Sequence, residues 1–215
     1  MTKSLVAASV LAATTLASGT AMAELSGNVG VTSNYLWRGE TQASDEAAVF
    51  GGIDYAHDSG FYVGTWTSSL GGGSSYELDI YAGYAFEVAG IGLDVGAITY
   101  QYPQEDNDGD TTEGYLGASY SMFSAKYSIT DDYFNSGESA YYIEVGADIP
   151  VKNDLALGLH YGMKDGDAFA DGYGDYSVSL SKGDFSFAYS NTDNKEVAQT
   201  DNARISATWT HSIDF

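Results

Sequence analysis

Period two runs through this chain from residue 25 to its end. Leu25, Gly27, Val29, Val31, Ser33 and Tyr35 alternate with Ser26, Asn28, Gly30, Thr32 and Asn34. Ile143, Val145, Ala147 and Ile149 alternate with Glu144, Gly146 and Asp148, and Phe185, Phe187 and Tyr189 with Ser186, Ala188 and Ser190. Successive side chains of a strand point to opposite faces, so each stretch describes a strand with one apolar and one polar side. In one stretch the two parities compete: Phe61, Val63 and Thr65 against Tyr62, Gly64 and Trp66.

The pattern predicts twelve strands, and their connections alternate in length. Short turns fall near 56–60, 87–90, 121–122, 150–154 and 182–184, and long ones near 39–46, 69–75, 103–111, 131–138, 164–174 and 192–202. An even strand number with long connections first and last puts both termini on the short-turn side. Outer-membrane barrels share this plan: short periplasmic turns, longer outer loops, apolar residues outside and polar residues inside. A soluble sandwich or lipocalin-like barrel would also alternate. Three features weigh against it. Gly and Ala thin out the apolar face while Tyr, Phe and Trp gather near strand ends, the other face is too polar for a filled core, and all long connections share one side. The expected fold is therefore all-β, a twelve-stranded antiparallel transmembrane β-barrel. Closure leaves no unpaired edge in lipid, where each unsatisfied backbone group costs several kcal/mol.

The ends of the chain agree with export. Lys3, the apolar run Leu5 to Ala17 and Ala21-Met22-Ala23 have the order of a secretory signal peptide, so residues 1–23 are expected to be removed and 24–215 to form the barrel. The C-terminus alternates to an aromatic last residue, Phe215, resembling the strand by which barrel-assembly machinery recognises its clients. His211 departs from that pattern, on the lipid face near the periplasmic end.

Charge narrows the partners. A net charge of −22 excludes nucleic acid, which needs a basic surface. The absence of Cys excludes disulfides and thiolate chemistry. Parity assigns Asp54, Glu77, Asp79, Asp94, Glu113, Glu144 and Asp148 to the lumen, against Arg38, Lys126 and Arg204, with His160 able to switch. Paired across the lumen, these groups make a structural plug; wet, they make a cation-preferring pore. Tyr81, Tyr100, Tyr102, Tyr115 and Tyr142 also point inward and narrow the passage. The long connections hold sixteen acids, among them Glu105, Asp106, Asp108, Asp110, Asp165, Asp167 and Asp171, opposed by Lys164 and Lys195. Such an acidic rim attracts cations and suits bridging by divalent ions to neighbouring lipopolysaccharide.

Several stretches together resemble the TorF-like porin family of the proteobacterial outer membrane, long carried as conserved hypothetical proteins. They are Ser33-Asn-Tyr-Leu-Trp-Arg-Gly39, the run Gly51 to Trp66, Tyr76-Glu-Leu-Asp-Ile-Tyr-Ala-Gly-Tyr84 and Asp94 to Pro103, covering the first half of the mature chain. The resemblance implies a barrel of about this length and a pore in the outer membrane of a Gram-negative bacterium. It supplies no catalytic residue and no substrate.

Other chemistry finds little support. Asp106-Asn-Asp108-Gly-Asp110 spaces oxygens like a calcium loop, but Thr111 replaces the turn Gly and Gly117 the closing Glu, so no EF-hand is expected. His57-Asp58-Ser59 has the residue types of a hydrolase but reads as a tight turn. His211 and Ser212 alternate to opposite faces. No enzyme activity, cofactor or metal is expected. The expected function is passive diffusion of a small hydrophilic solute, cations preferred. The alternative is a closed barrel with a structural, adhesive or ligand-binding role through its acidic loops, embedded in outer-membrane lipid in either case.

Overall fold

The computed structural model describes residues 24–71, 76–103, 109–194 and 203–215. The expected signal segment 1–23 lies outside these residues, as do Glu105, Asp106 and Asp108. The strands in chain order are β1 (Glu24–Thr32), β2 (Leu36–Trp37), β3 (Glu40–Thr41), β4 (Ala48–Ala56), β5 (Phe61–Ser69), β6 (Tyr76–Val88) and β7 (Ile91–Gln101). They continue with β8 (Thr111–Tyr120), β9 (Phe123–Thr130), β10 (Ala140–Pro150), β11 (Ala156–Asp165), β12 (Tyr173–Lys182), β13 (Phe185–Thr192) and β14 (Arg204–Asp214).

Twelve of them form one closed antiparallel barrel, each paired with its sequence neighbour, with β1 bridging β14 and β4. The seam sets Val29 opposite His211 and Val31 opposite Trp209. Burial is inverted relative to a soluble protein. Val49, Ile53, Phe61, Leu116, Phe187 and Ile205 are exposed, whereas Glu77, Asp79, Glu113, Lys164 and Asp175 are buried. Water would favour the reverse; a hydrocarbon surround with a polar interior favours this arrangement. The competing parities of β5 resolve the same way. Phe61 and Val63 are exposed, and Tyr62 turns inward to donate to Asp94 at 2.7 Å.

The inward face is built partly from tyrosines laid against glycines on the next strand. A Cβ at Gly64 would lie 2.5 Å from the Tyr81 ring, and one at Gly162 only 1.9 Å from the Tyr142 hydroxyl. Glycine at these positions lets each ring lie along the wall instead of across the lumen.

The first strand departs from expectation. Its alternation continues in sequence to Tyr35 and beyond, but β1 ends at Thr32. Residues 33–47 leave the wall and fold back inside the barrel as a small hairpin of β2 and β3, with Leu36 opposite Thr41 and Trp37 opposite Glu40. Arg38 and Gly39 form its two-residue turn, with φ of 49° and 80°. Positive φ at both central residues is what a type I′ turn requires. For Arg38 that backbone costs about 1–2 kcal/mol, so its side-chain contacts must outweigh it.

Candidate functional site: the inserted segment and the vestibule

The inserted segment fills the long-loop half of the lumen. Tyr35, Trp37 and Ala43 pack with Ala48, Tyr100 and Tyr102 into one buried cluster, flanked by Trp66, Leu70, Tyr133 and Phe134. Trp37 meets the Tyr100 and Phe134 rings edge-on, at centroid distances of 5.5 and 6.2 Å.

Polar contacts anchor the segment to the wall. The Arg38 guanidinium donates twice to the Glu113 carboxylate, at 2.7 and 2.6 Å, and lies 4.3 Å from the Trp37 ring and 4.4 Å from that of Tyr142. Arg38 is thus not a strand residue bathed in the pore. It is 4% exposed, at the tip of the inserted hairpin. The hydroxyls of Tyr35 and Tyr102 donate to opposite oxygens of Glu77, at 2.5 and 2.6 Å. At the base, Asp45 accepts from Asn34 Nδ2 at 2.7 Å and from Arg204 Nε at 2.5 Å. The Arg204 bond, helped by Asn34, holds the Asp45 carboxyl below its ordinary value. Asn194 donates to Glu40 on the far side of the hairpin.

Lys164 also departs from expectation. It does not offset the acidic rim: it is fully buried, with Trp37, Tyr133, Phe169 and Tyr173 around Nζ at 4.3, 4.4, 5.2 and 5.7 Å and a hydrogen bond to the Tyr133 hydroxyl. The cage joins the inserted segment through Trp37 to two long connections and β12. Among the described rim acids, Asp110 accepts from the Tyr102 amide, Asp165 from the Gly166 amide and Asp167 from Ser139, while Asp171 is exposed.

Beneath the segment, toward the short turns, lies a cavity of about 280 Å³. Its ceiling is Asn34, Leu36, Arg38 and Gly39. One wall carries Asp94, Lys126, Glu144, Asp148 and His160; the other is largely Ser177, Ser179, Ser181, Ser186, Ser190 and Ser206. His160 Nε2 is 3.0 Å from Asp175 Oδ1 and 3.0 Å from the Tyr142 hydroxyl, which itself donates to Asp175 Oδ2 at 2.9 Å; Glu144 is 3.7 Å from Nδ1. The remaining side is filled by tyrosines: Tyr62 contacts Asp94 and Tyr115, and Tyr81 donates to Asp54.

The lumenal residues therefore fall into two sets. Asp94, Lys126, Glu144, Asp148 and His160 line the vestibule, while Glu77, Asp79, Glu113 and Arg204 are covered by the inserted segment and Asp54 stands beneath Tyr81. Tyr35, Trp37 and Asp175 belong to the same site and were not singled out by parity. Asp175 follows the inward parity of Ser177 and Ser179, a signal that extending β12 by one pair would have exposed. His57 bonds its turn neighbour Ser59 at 2.8 Å, and His211 stacks on Trp209 and faces Asp184 at 3.1 Å. No cluster of three or more His, Asp or Glu is disposed to hold a metal among the described residues.

Residues 16–214 match the model of a family described as bacterial proteins of unknown function. The chain belongs to the Gcw_chp family. No curated protein matches this Gcw_chp chain by sequence. Among solved structures, a KdgM porin is similar with a TM-score of 0.60 at 11% identity, over 88% of this chain and 99% of that one. A NanC porin is similar with a TM-score of 0.57 at 10% identity, over 89% and 99%. At such identities the likeness is one of fold, and that fold is the twelve-stranded outer-membrane type of barrel.

Proposed function

We propose that this Gcw_chp protein is a porin-like channel of a Gram-negative outer membrane, in keeping with the TorF-like resemblance, passing small hydrophilic solutes passively and cations before anions. The observation that carries the reading is the vestibule. Side chains fill the interior of a barrel of about eight strands, whereas here, with twelve, one wall of the short-turn half is serine and a cavity is left open. Arg38 in the ceiling is already paired with Glu113, and among the other lining charges Asp94, Glu144, Asp148 and Asp175 outnumber Lys126 and His160, so the local potential favours cations. One solved relative in fold is a KdgM porin in complex with disordered oligogalacturonate. Sugars of that kind carry carboxylates, and the excess of acids here disfavours them. The neighbours expected in place are outer-membrane lipid, lipopolysaccharide and, during insertion, the barrel-assembly machinery.

The test is planar-bilayer conductance of the refolded mature chain, with the reversal potential measured across a salt gradient. Discrete steps with a cation preference that weakens in Asp94→Asn and Asp148→Asn support the reading. A second reading, a closed barrel acting through its loops, is favoured by the buried Arg38–Glu113 pair. Silence from folded, inserted protein would decide for it.

A further inference from the structure

We infer that segment 33–47 is a gate: a plug that leaves the lumen and returns, connecting the vestibule to the long-loop end when it is out. The inference rests on the porin-like reading and adds its control element.

The first ground is the wall behind the plug. A permanent filling would be expected to face apolar side chains. This one covers Glu77, Asp79, Glu113, Lys164 and Arg204 on the inward faces of β6, β8, β11 and β14. The plug pairs several of them, Glu113 through Arg38, Glu77 through Tyr35 and Arg204 through Asp45, and water would solvate all of them in its place. The wall is thus already that of a pore.

The second ground is polar satisfaction. Five buried side-chain polar atoms lack a hydrogen-bond partner among the described residues. Four of them, Trp37 Nε1, Arg38 Nε, Asp79 Oδ1 and Tyr173 Oη, lie where the segment meets the wall and the Lys164 cage. Water admitted on opening offers each of them a partner.

The third ground is mechanical. The hairpin pairs with itself. The twelve-strand ladder closes without it, β1 pairing directly with β4 from Glu24 to Thr32. Ser33 stays on the wall, its amide donating to Ala207 O at 2.9 Å, so withdrawal of the segment beyond it breaks side-chain contacts and one backbone hydrogen bond, Gly71 N–H to Gln42 O at 3.3 Å, and leaves the barrel whole. The backbone at Ser44 and Asp45, outside the hairpin, is left-handed, with φ of 53° and 61°; such strain persists only while contacts hold it, and release relaxes it.

The experiment locks the gate. The chain has no Cys, so Gly39→Cys with Thr192→Cys supplies the only two thiols. A Cβ at position 39, where φ is +80°, would lie 2.6 Å from the Asp175 Cβ and 2.9 Å from the Thr192 Cβ, so the hairpin tip must shift by roughly an ångström, which also brings the pair to disulfide spacing. Single-channel recording compares this pair oxidised and reduced, beside wild type and a variant whose residues 36–41 are replaced by Gly-Ser. The expected result is a wild type that switches between closed and conducting levels, an oxidised pair that stays closed until reductant is added, and a loop variant that conducts without closing. Equal conductance of the oxidised and reduced pair overturns the gate and leaves the porin-like reading standing, whereas a wild type that never opens while the loop variant conducts overturns the gate and decides for the closed barrel. A silent loop variant that is folded and inserted overturns both.

Discussion

Removing the partner of Arg38 separates the inserted segment's stability from the barrel's. In Glu113→Ala the guanidinium loses both charge-assisted hydrogen bonds while remaining 4% exposed. Breaking a buried ion pair from one side costs about 3–5 kcal/mol, because the surviving charge stays buried and unpaired. Arg38 need not stay buried, since it sits at the tip of a hairpin that is no part of the barrel ladder. The cost then falls on docking of the segment, and at about 1.4 kcal/mol per tenfold it shifts that equilibrium by about a hundred- to a few thousandfold. Ala43→Cys reports it: position 43 is fully buried within the segment, and the engineered thiol is the only one in the chain. Labelling by a membrane-impermeant maleimide should accelerate by about the same factor in Glu113→Ala. The urea midpoint of the barrel should stay unchanged, and Glu113→Gln, which keeps one acceptor, should fall between. Labelling as slow as with Glu113 in place, or a falling barrel midpoint, would refute the reasoning, because the pair would then hold up the wall rather than the plug.

Three further outcomes follow from the same geometry. Gly64→Ala sets a methyl about 2.5 Å from the Tyr81 ring and should lower barrel stability by about 1–3 kcal/mol in urea unfolding from vesicles; an unchanged midpoint would mean the ring has room to move. Val145→Arg, at an exposed outward position in mid-β10, should cost about 2–4 kcal/mol in the same assay, whereas Ser177→Arg, facing the vestibule, should leave the midpoint alone and lower cation preference. Acidification should release the base of the plug late. The Asp45 carboxyl is held below its ordinary value of 3.8 by Arg204, so its contribution is complete above that value and is lost only as pH falls through the lower one. Ala43→Cys labelling should therefore be flat across mildly acidic pH and rise only in stronger acid, and Asp45→Asn should already be fast at neutral pH.

The barrel was legible because its solvent makes it so. Each wall strand must show lipid one face and the lumen the other, and that demand writes period two into every segment from β4 to β14. Parity alone then put Glu77, Glu113 and Asp148 inside and Phe187 and Ile205 outside. It failed at residues 33–41 for a physical reason. The inserted hairpin also has two faces, one against the aromatic cluster and one toward the vestibule and wall, so Tyr35, Trp37 and Gly39 still alternate with Leu36, Arg38 and Glu40. Alternation reports that a segment separates two environments and does not say which two. What distinguishes this stretch is the composition of its faces. Wall strands set an apolar face against a polar one without a break; here two large aromatics stand beside an arginine and an acid, with Gly39 marking a turn. The same test explains Lys164. Its parity is inward, but its neighbours in space include Trp37 and Tyr133 from distant parts of the chain, beside Phe169 and Tyr173 from the connection and strand that follow it. A cation that reads as part of a solvated rim becomes the centre of a dry cage only once the inserted segment supplies Trp37. Docking of 33–47 therefore completes its burial, by closing with Trp37 a cage whose other three rings belong to the wall and the long connections.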